Sequence, residues 1–340
     1  MNRRAFLIGG ALVAQACRRG PRLNVYNWSD YIAPETVPAF ERESGASVHY
    51  ATYESNQEML AQVMSGNSGW DVVFPSEDFV GPMRELGLLA PLRHEWLPNL
   101  SALDAEFDRP PWDPELRWCV PYMHGVTGIL YQTSLAHAPQ AWADLWDERL
   151  RGKLTMLDDQ PEVLGACLKK LGRSLNSADP AELMAAKAEA LAQKPLLRAY
   201  LNAEVRDQAV AGDVLASQAW AVTAAQAMAA VPGKLGFTLP SDGFPRFCDN
   251  VVVLRESRRV ELAHRFIDYL LRPAIAAAIV MATHTASANG AAQRLLPAEI
   301  RENPVLYPPL EALARGEWFQ SQPPASQKLR DRLWTEIKSA

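Results

Sequence analysis

The sequence predicts an α/β protein of two lobes with a cleft between them. Its 340 residues are too many for one small hydrophobic core and enough for two. Predicted strands alternate with single short helices, which is the pattern of a mainly parallel sheet with right-handed crossovers. No low-complexity linker separates the two halves of the chain. We therefore expect the chain to cross between the lobes on ordered segments that act as a hinge.

The first lobe begins with strands and helices in alternation. Alternating apolar residues predict the strands, while Pro34 at a helix start and Gly45 and Gly66 just after helix ends mark the helices. The predicted strands are Leu23–Trp28, Ser47–Tyr53 and Trp70–Phe74, and the predicted helices are Pro34–Glu43 and Asn56–Ser65.

A second set of such units starts after Gly125–Tyr131, which we interpret as a strand leaving the first lobe. We predict strands at Lys153–Leu157 and Asp213–Ser217, and helices at Pro161–Leu171, Pro180–Gln193 and Ala219–Ala230. The chain then continues through a buried strand at Asp249–Leu254 and helices at Val260–Leu271, Pro273–Met281 and Ser326–Lys338. This order assigns residues 22–124 and 250–293 to lobe 1 and residues 125–249 and 294–340 to lobe 2.

Composition and charge limit the function. Hydrophobic residues make up 48% of the chain and charged residues 21%, which is typical of a folded globular protein. The formal net charge of -5 disfavours nucleic acid as a partner, because phosphate binding requires clustered Lys and Arg. A cationic ligand suits such a chain better.

Residues 1–17 have the pattern of an export signal. Arg3 and Arg4 supply positive charge, Ala5–Ala14 form an apolar run, and Ala16 ends a small-residue cleavage pattern. The apolar run is too short for a permanent membrane span. Two arginines before an aromatic residue and a leucine resemble a twin-arginine export signal, and an ordinary signal peptide explains the same residues equally well.

The four cysteines have separate interpretations. Cys17 directly follows a small residue, which resembles the lipobox of bacterial lipoproteins, where this cysteine carries the lipid. Ala14 stands where that motif has leucine, so simple cleavage and release into the periplasm is the alternative. Cys119, Cys167 and Cys248 lie at long, irregular spacings. We interpret these three as small buried hydrophobic residues, with one disulfide among them as an open alternative.

Motifs of known catalytic chemistry are missing from the sequence. It contains no GxSxG, GxxxxGK, GxGxxG or HExxH motif, and its six histidines do not stand at metal-ligand spacings. We therefore predict no catalytic residue, no metal site and no cofactor. One enzyme hypothesis stays open, in which the acids Asp158, Asp159 and Glu162 act as acid and base on a cationic metabolite.

The segment Asn27–Tyr31 is a candidate ligand loop. It follows the first predicted strand at its carboxyl end, where open parallel sheets bind ligands. Trp28 and Tyr31 offer ring faces, and a ring face attracts an ammonium ion by about 0.5 to 2 kcal/mol. The alternative is a loop whose two rings cover the edge of the sheet, and periodicity alone slightly favours that role.

Short motifs spread from Leu23 nearly to the C-terminus carry a resemblance to a known family. They are NWSDYI at Asn27–Ile32, YESN at Tyr53–Asn56, WDVVFPS at Trp70–Ser76, VPYMHGVTGI at Val120–Ile129, WADLWD at Trp142–Asp147, LLRP at Leu270–Pro273, NPVLYPP at Asn303–Pro309 and GEW at Gly316–Trp318. In this order they resemble the periplasmic spermidine/putrescine-binding proteins of ABC importers, which belong to the bacterial extracellular solute-binding proteins.

The resemblance implies a type II periplasmic-binding-protein fold that closes around a polyamine in the cleft between its lobes. It also implies a periplasmic location, no enzyme activity, and an ABC transporter permease and ATPase complex at the inner membrane as partners. We expect a monomer. The positions that match the ligand groove of the family are Trp28, Ser29, Tyr31, Ser76, Asp159, Glu162 and Asp249.

The three acids also have structural interpretations. Asp159 and Glu162 have the spacing of a capping box, and that spacing alone favours a helix cap. Asp249 followed by Asn250 also suits a turn before a strand. Only the resemblance assigns these acids to ligand binding.

The groove departs from the family pattern at four positions. Asp78 stands where relatives often have tyrosine, so an extra carboxylate is predicted to face an additional amine. Ser217 and Phe247 stand where tryptophans are frequent, with Trp220 as a replacement ring for the first, and Thr285 stands near a frequent tyrosine. We include Asp78, Ser217 and Phe247 in the predicted groove. The predicted ligand is of the putrescine/spermidine type, with another cationic or amine-bearing metabolite as the alternative.

Overall fold

The computed structural model describes residues 20–340. The predicted export signal and Cys17 lie outside these residues. Within them the α/β architecture predicted from the sequence is confirmed.

The strands form one sheet that runs through both lobes. They are β1 (Arg22–Trp28), β2 (Ser47–Tyr53), β3 (Val72–Val73), β4 (Val120–Gln132), β5 (Leu154–Met156), β6 (Leu197–Tyr200), β7 (Ala216–Trp220), β8 (Leu235–Thr238), β9 (Phe244–Val253), β10 (Ala286–Ser287) and β11 (Gly316–Trp318). Neighbouring strands follow the order β2-β1-β3-β9-β4-β7-β5-β6, while β8 and β10 attach to β4 and β11 attaches to β9. The pairs β1–β2 and β1–β3 in one lobe and β5–β6 and β5–β7 in the other are parallel.

Helices cover the sheet in both lobes. They are α1 (Thr36–Ser44), α2 (Asn56–Val63), α3 (Glu77–Glu85), α4 (Gln160–Lys170), α5 (Pro180–Gln193), α6 (Val205–Ala211), α7 (Ala221–Ala230), α8 (Val260–Leu271), α9 (Pro273–Thr283), α10 (Gly290–Gln293), α11 (Ala298–Arg301), α12 (Leu310–Leu313) and α13 (Pro324–Ser339). Short 3₁₀ turns lie at His94–Trp96, Pro98–Ala102, Trp142–Trp146, Glu148–Leu150 and Lys194–Leu196.

Two long antiparallel strands connect the lobes. The first half of β4 pairs with β9 from Val120, opposite Val251, to Val126, opposite Arg246. The second half of β4 pairs with β7 of lobe 2, and the end of β9 pairs with β3 of lobe 1. Each strand belongs to both lobes. This pair is therefore the ordered hinge that we predicted because no low-complexity linker separates the two halves of the chain.

Each lobe has its own hydrophobic core. Val25, Phe40 and Phe266 are buried together in lobe 1, where β1, α1 and α8 meet. Leu164 and Leu333 are buried together in lobe 2, because α13 packs against α4 and α5. The final helix therefore docks on a lobe as its apolar spacing predicted. The proposed residue numbers of the lobe boundaries stay a prediction.

Local elements were predicted better than long strands. Ser47–Tyr53, Pro180–Gln193 and Val260–Leu271 coincide with β2, α5 and α8. The strand predicted at Asp213–Ser217 lies three residues later as β7, because pairing with β4 sets its position. Helix α3 was not predicted, and it contains Pro82, a residue that normally ends or kinks a helix.

Cys119, Cys167 and Cys248 are buried and have free thiols. This agrees with their interpretation as small hydrophobic residues, and the alternative of one disulfide among them is not found.

No single helix within residues 20–340 has the length and apolar character needed to cross a membrane. Helices α8 and α9 meet those criteria only when taken together, and they are bent by 71° relative to each other.

Candidate functional site

A cavity of about 190 Å³ lies between the two lobes. Lobe 1 contributes the loop after β1 and the start of α3, lobe 2 contributes the starts of α4, α6 and α7, and the hinge contributes β9. Its lining includes the acids Asp78, Asp159, Glu162 and Asp249 and the rings of Trp28, Tyr31, Phe79, Trp220, Phe247 and Phe319.

Two hydroxyl groups donate hydrogen bonds to the carboxylate of Asp249. Ser76 Oγ donates to Asp249 Oδ1 at 2.7 Å, and the Tyr31 hydroxyl donates to Asp249 Oδ2 at 2.9 Å. Asn56 positions the serine, since its Nδ2 donates to Ser76 Oγ at 2.9 Å and its Oδ1 accepts the Ser76 N–H at 3.1 Å. The turn interpretation of Asp249 is wrong, because this residue lies inside β9.

The ring of Trp28 is held in place by a hydrogen bond and by a second aromatic ring. Its Nε1 donates to the carbonyl oxygen of Phe74 at 2.8 Å, and its ring centroid lies 4.7 Å from that of Tyr53. The Tyr53 hydroxyl donates to the same carbonyl at 2.6 Å. The indole nitrogen is therefore occupied, while the residue still lines the cavity.

The two acids at the start of α4 have different supports. Asp159 caps the helix, since its Oδ1 accepts the Glu162 N–H at 3.1 Å. Glu162 Oε1 accepts the Thr127 hydroxyl at 2.7 Å and Trp220 Nε1 at 3.0 Å. The cap interpretation of Asp159 is therefore confirmed, and yet both residues line the cavity.

Asp78 lies in the first turn of α3, and its neighbours hold that turn in place. Glu77 is buried, and its carboxylate accepts the backbone N–H of Cys248 at 2.8 Å and of Phe319 at 3.2 Å. The Ser321 hydroxyl donates to the carbonyl oxygen of Asp78 at 2.6 Å. The start of α3 is thus tied to β9 and to the segment after β11.

Phe247 lies directly against a glycine of the hinge. A Cβ atom on Gly125 would come within 2.6 Å of the Phe247 ring, and the two residues are paired in the β4–β9 ladder. Because Gly125 has no side chain, the Phe247 ring can pack against its backbone at the wall of the cavity.

Ser29 and Glu54 line the more exposed side of the cavity, where the Ser29 hydroxyl donates to Glu54 Oε1 at 2.5 Å.

The four buried or half-buried acids of the cavity have no basic partner in the described chain. Within residues 20–340, no Lys or Arg lies within 4.0 Å of Asp78, Asp159, Glu162 or Asp249. Arg206 lines the cavity but forms an ion pair with its neighbour Asp207 at 2.9 Å. The cavity therefore presents several carboxyl groups whose charge the described side chains leave unneutralised.

Burial raises the pKa of each of these four acids. It raises the pKa of Asp249 to about 6, although the hydrogen bonds from Ser76 and Tyr31 act in the opposite direction. Burial and repulsion from Asp159 raise the pKa values of Asp78 and Glu162, and burial followed by repulsion from Asp158 raises that of Asp159. Ionisation of each acid therefore costs more free energy in this cavity than in water, and a bound cation would offset that cost.

Most of the predicted groove residues are brought together. The cavity lining includes Trp28, Ser29, Tyr31, Ser76, Asp78, Asp159, Glu162, Phe247 and Asp249. Ser217 is the exception, because it is fully buried in β7 and its Oγ accepts the Thr155 hydroxyl at 2.8 Å. Trp220, at the end of the same strand, lines the cavity instead, and Thr285 is buried outside the lining.

Sequence reasoning missed several lining residues. Asn56 belongs to the YESN motif and Phe319 directly follows the GEW motif, so each had a local signal. Arg206 and Gln226 lie on α6 and α7 without any such signal. Gln226 also joins the lobes, since its Nε2 donates to the carbonyl oxygen of Thr283 at 2.8 Å.

Comparison with known proteins decides the family. Residues 35–308 match the family described as bacterial extracellular solute-binding protein. The chain belongs to this family. The solute-binding protein is 32% identical to the putrescine-binding periplasmic protein PotF of Escherichia coli strain K12, with 98% of this chain and 96% of the relative covered. It is 31% identical to the spermidine/putrescine-binding periplasmic protein of the same strain, over 93% of this chain and 91% of the relative.

A solved structure agrees with the fold. The spermidine/putrescine ABC transporter substrate-binding protein PotD from Streptococcus pneumoniae superposes on this solute-binding protein with a TM-score of 0.82 at 28% identity. The alignment covers 94% of this chain and 99% of the other. The type II periplasmic-binding-protein fold implied by the sequence motifs is thereby confirmed.

Proposed function

We propose that this protein is the substrate-binding subunit of an ABC importer and that it captures a polyamine of the putrescine/spermidine type in the cavity between its lobes. The observation that carries this proposal is the set of four buried or half-buried acids without a basic partner in the described chain. The names of the two Escherichia coli relatives support the same ligand class.

Electrostatics favours a flexible cation with charges at both ends. Asp249 lies on β9, while Asp159 and Glu162 lie at the start of α4. One ion pair at about 4 Å contributes about 4 kcal/mol at an effective dielectric near 20, and desolvation of both ions offsets much of that gain. The remaining free energy of binding must come from contacts with the rings along the cavity and from closure of the lobes.

The rings suit the remainder of such a ligand. Trp28, Trp220 and Phe247 offer apolar surface to methylene groups and ring faces to ammonium ions. The indole nitrogens of both tryptophans already have acceptors, so the ligand does not have to satisfy them. Binding to both lobes at once favours the closed form, which we propose the permease and ATPase complex recognises.

Thermal unfolding with a panel of ligands tests the proposal. Putrescine or spermidine at 100 times its dissociation constant stabilises the folded protein by about 2.7 kcal/mol and raises its melting temperature. The diol 1,4-butanediol, which has the chain of putrescine without its charges, is expected to give no shift. Absence of a shift with both amines would sink the polyamine assignment, and a shift with another cationic metabolite in the panel would support the alternative ligand.

We further propose that the protein binds its ligand without turnover. Asp158, one of the acids of the enzyme hypothesis, is exposed and accepts a hydrogen bond from Lys338 Nζ at 2.8 Å. It does not line the cavity beside Asp159 and Glu162. Mass spectrometry of putrescine and spermidine after incubation should recover both unchanged, and a new product would contradict this proposal.

We also propose a monomeric, exported protein in the periplasm, either anchored to the membrane by lipid on Cys17 or released after simple cleavage. The relatives named above are periplasmic proteins, which supports the location. Light scattering of the purified protein measures its mass in solution. Intact mass spectrometry of the membrane fraction tests the anchor, because a mature chain that begins at an unmodified residue would exclude it.

A further inference from the structure

Glu77 is a buried acid that does not line the ligand cavity. Its side chain is 1% exposed at the start of α3, and within residues 20–340 no Lys or Arg lies within 4.0 Å of its carboxylate. One carboxylate oxygen, Oε2, accepts the N–H of Cys248 at 2.8 Å, and the other, Oε1, accepts the N–H of Phe319 at 3.2 Å. These two bonds join α3 to β9 and to the segment after β11.

The segment Gly316–Gln322, which we call the strap, is held by lobe 2. It comprises β11 and the residues that follow it. Asn176, between α4 and α5, binds the strap at two points, since its Nδ2 donates to the carbonyl oxygen of Trp318 at 2.9 Å and its Oδ1 accepts the N–H of Gln320 at 2.9 Å. The strap then leads into α13, which packs on α5.

The same strap is also fastened to lobe 1. The Phe319 N–H reaches Glu77, and the Ser321 hydroxyl donates to a carbonyl oxygen in the first turn of α3 at 2.6 Å. The ring centroid of Trp318 lies 5.3 Å from that of Trp112, which packs against buried residues of lobe 1. The strap is thus a further connection between the lobes, beside β4 and β9.

The strap places one ring of the ligand cavity. Phe319 lines the cavity, and its N–H is held by Glu77 of lobe 1. Its ring lies near α4 of lobe 2, where a Cβ atom on Gly165 would come within 3.9 Å of the ring. A shift of the backbone at Phe319 therefore moves the ring relative to both lobes.

Resting on the proposed function, we propose that Glu77 is a positioning residue, which fastens the strap to α3 and β9 and thereby sets the place of the Phe319 ring in the ligand cavity. Glu77 does this without touching the ligand. An amide in its place can accept through its oxygen alone, so its NH₂ group opposes one of the two backbone N–H groups. A buried N–H without an acceptor is costly, so the strap shifts and the ring moves with it.

A double-mutant cycle measured by calorimetric titration with putrescine tests this inference. Glu77→Gln should weaken binding about tenfold, because one buried N–H group loses its acceptor unless the strap shifts. Phe319→Ala should weaken binding as well. The double variant should bind about as weakly as the weaker single variant, because both changes remove the same contact with the ligand.

Asp71→Asn is the matched control. Asp71 is a second buried acid of lobe 1, and each of its oxygens also accepts a hydrogen bond, from the Asn24 N–H at 2.8 Å and from the Ser257 hydroxyl at 2.6 Å. It does not line the cavity. This variant should lower the melting temperature and leave the dissociation constant unchanged, and a loss of affinity as large as that of Glu77→Gln would overturn the positioning role.

The other outcomes separate this inference from the proposed function. Losses that multiply in the double variant, or an unchanged dissociation constant in Glu77→Gln, would overturn the positioning role and leave polyamine capture intact. Binding of neither putrescine nor spermidine by the wild-type protein would overturn both. If Glu77→Gln does not fold, Ser321→Ala takes its place in the cycle, because this exposed hydroxyl fastens the same strap.

Discussion

The hydroxyl of Tyr31 donates a hydrogen bond of 2.9 Å to Asp249 Oδ2 and so joins the first loop of lobe 1 to a hinge strand 218 residues later in the chain. This bond favours the ionised carboxylate and lowers the pKa of Asp249 against the effect of burial. The position of the ligand loop Asn27–Tyr31 and the pKa of Asp249 are thus coupled through this hydrogen bond.

Tyr31→Phe should therefore raise the pKa of Asp249 and weaken polyamine binding. The loss in affinity should be larger at pH 6 than at pH 8, because a further rise of the pKa from about 6 lowers the ionised fraction of Asp249 most near pH 6. Calorimetric titration at both pH values measures the ratio. A loss of the same size at both would mean that the ring, and not the hydrogen bond, is the contribution of Tyr31.

Asp249→Ala should weaken binding by about two orders of magnitude, because it removes a desolvated partner of an ammonium ion. Thr285→Ala is the control, since this buried residue does not line the cavity and its hydroxyl has no hydrogen-bond partner in the described chain. Isothermal titration with putrescine gives both affinities. Similar losses in the two variants would contradict the proposed pocket.

The stability of the ligand-free protein should fall as the pH rises from 6.5 to 8.5. Burial raises the pKa of Asp78 to about 7, that of Glu162 to about 8 and that of Glu77 well above its usual value, so over this range the folded state binds more protons than the unfolded state. Their contribution is present at low pH and is lost as the pH passes the folded values.

Two buried histidines oppose this trend only at lower pH. Burial lowers the pKa of His124 to about 4 and also lowers that of His264, so both act mainly below pH 6.5. Saturating spermidine should remove the trend, because the bound cation favours the ionised acids. Scanning calorimetry at several pH values measures both curves, and a ligand-free stability that rises with pH over this range would contradict the assignment.

Gly125→Ala should reduce affinity without removing any polar group. The added Cβ would lie 2.6 Å from the Phe247 ring and must displace it from the wall of the cavity. Gly128→Ala, on the same strand, is the matched control, because its Cβ meets Phe237 and the carbonyl oxygen of Thr238, neither of which lines the cavity. We expect the control to lower the melting temperature and leave the dissociation constant unchanged, whereas an unchanged dissociation constant in Gly125→Ala would refute the role of the ring.

Local chemistry explains which parts of the site could be predicted. The spacing of Asp159 and Glu162 predicted a helix cap, and the cap is present. A carboxylate has two oxygens, and the cap occupies only Oδ1, so the same residue also lines the cavity. The cap and ligand interpretations were therefore never exclusive.

Long-range pairing explains the rest. The dipeptide Asp249–Asn250 suits a turn when only its neighbours are considered, and it lies within a ten-residue strand because β9 pairs with β4. Ser217 was placed in the groove, but the pairing of β7 with β4 turns it into the core and brings Trp220 to the cavity. Such registers depend on residues far away in the chain, which no local pattern contains.

The two hinge strands also carry parts of the binding site. Phe247 and Asp249 belong to β9, while Gly125 and Thr127, the partners of Phe247 and Glu162, belong to β4. Any flexing of this two-stranded ribbon changes the shape of the cavity at the same moment as it swings the lobes apart. We therefore expect the rate at which the ligand escapes to depend on the stiffness of the ribbon, so that substitutions in β4 and β9 that never touch the ligand will alter its residence time.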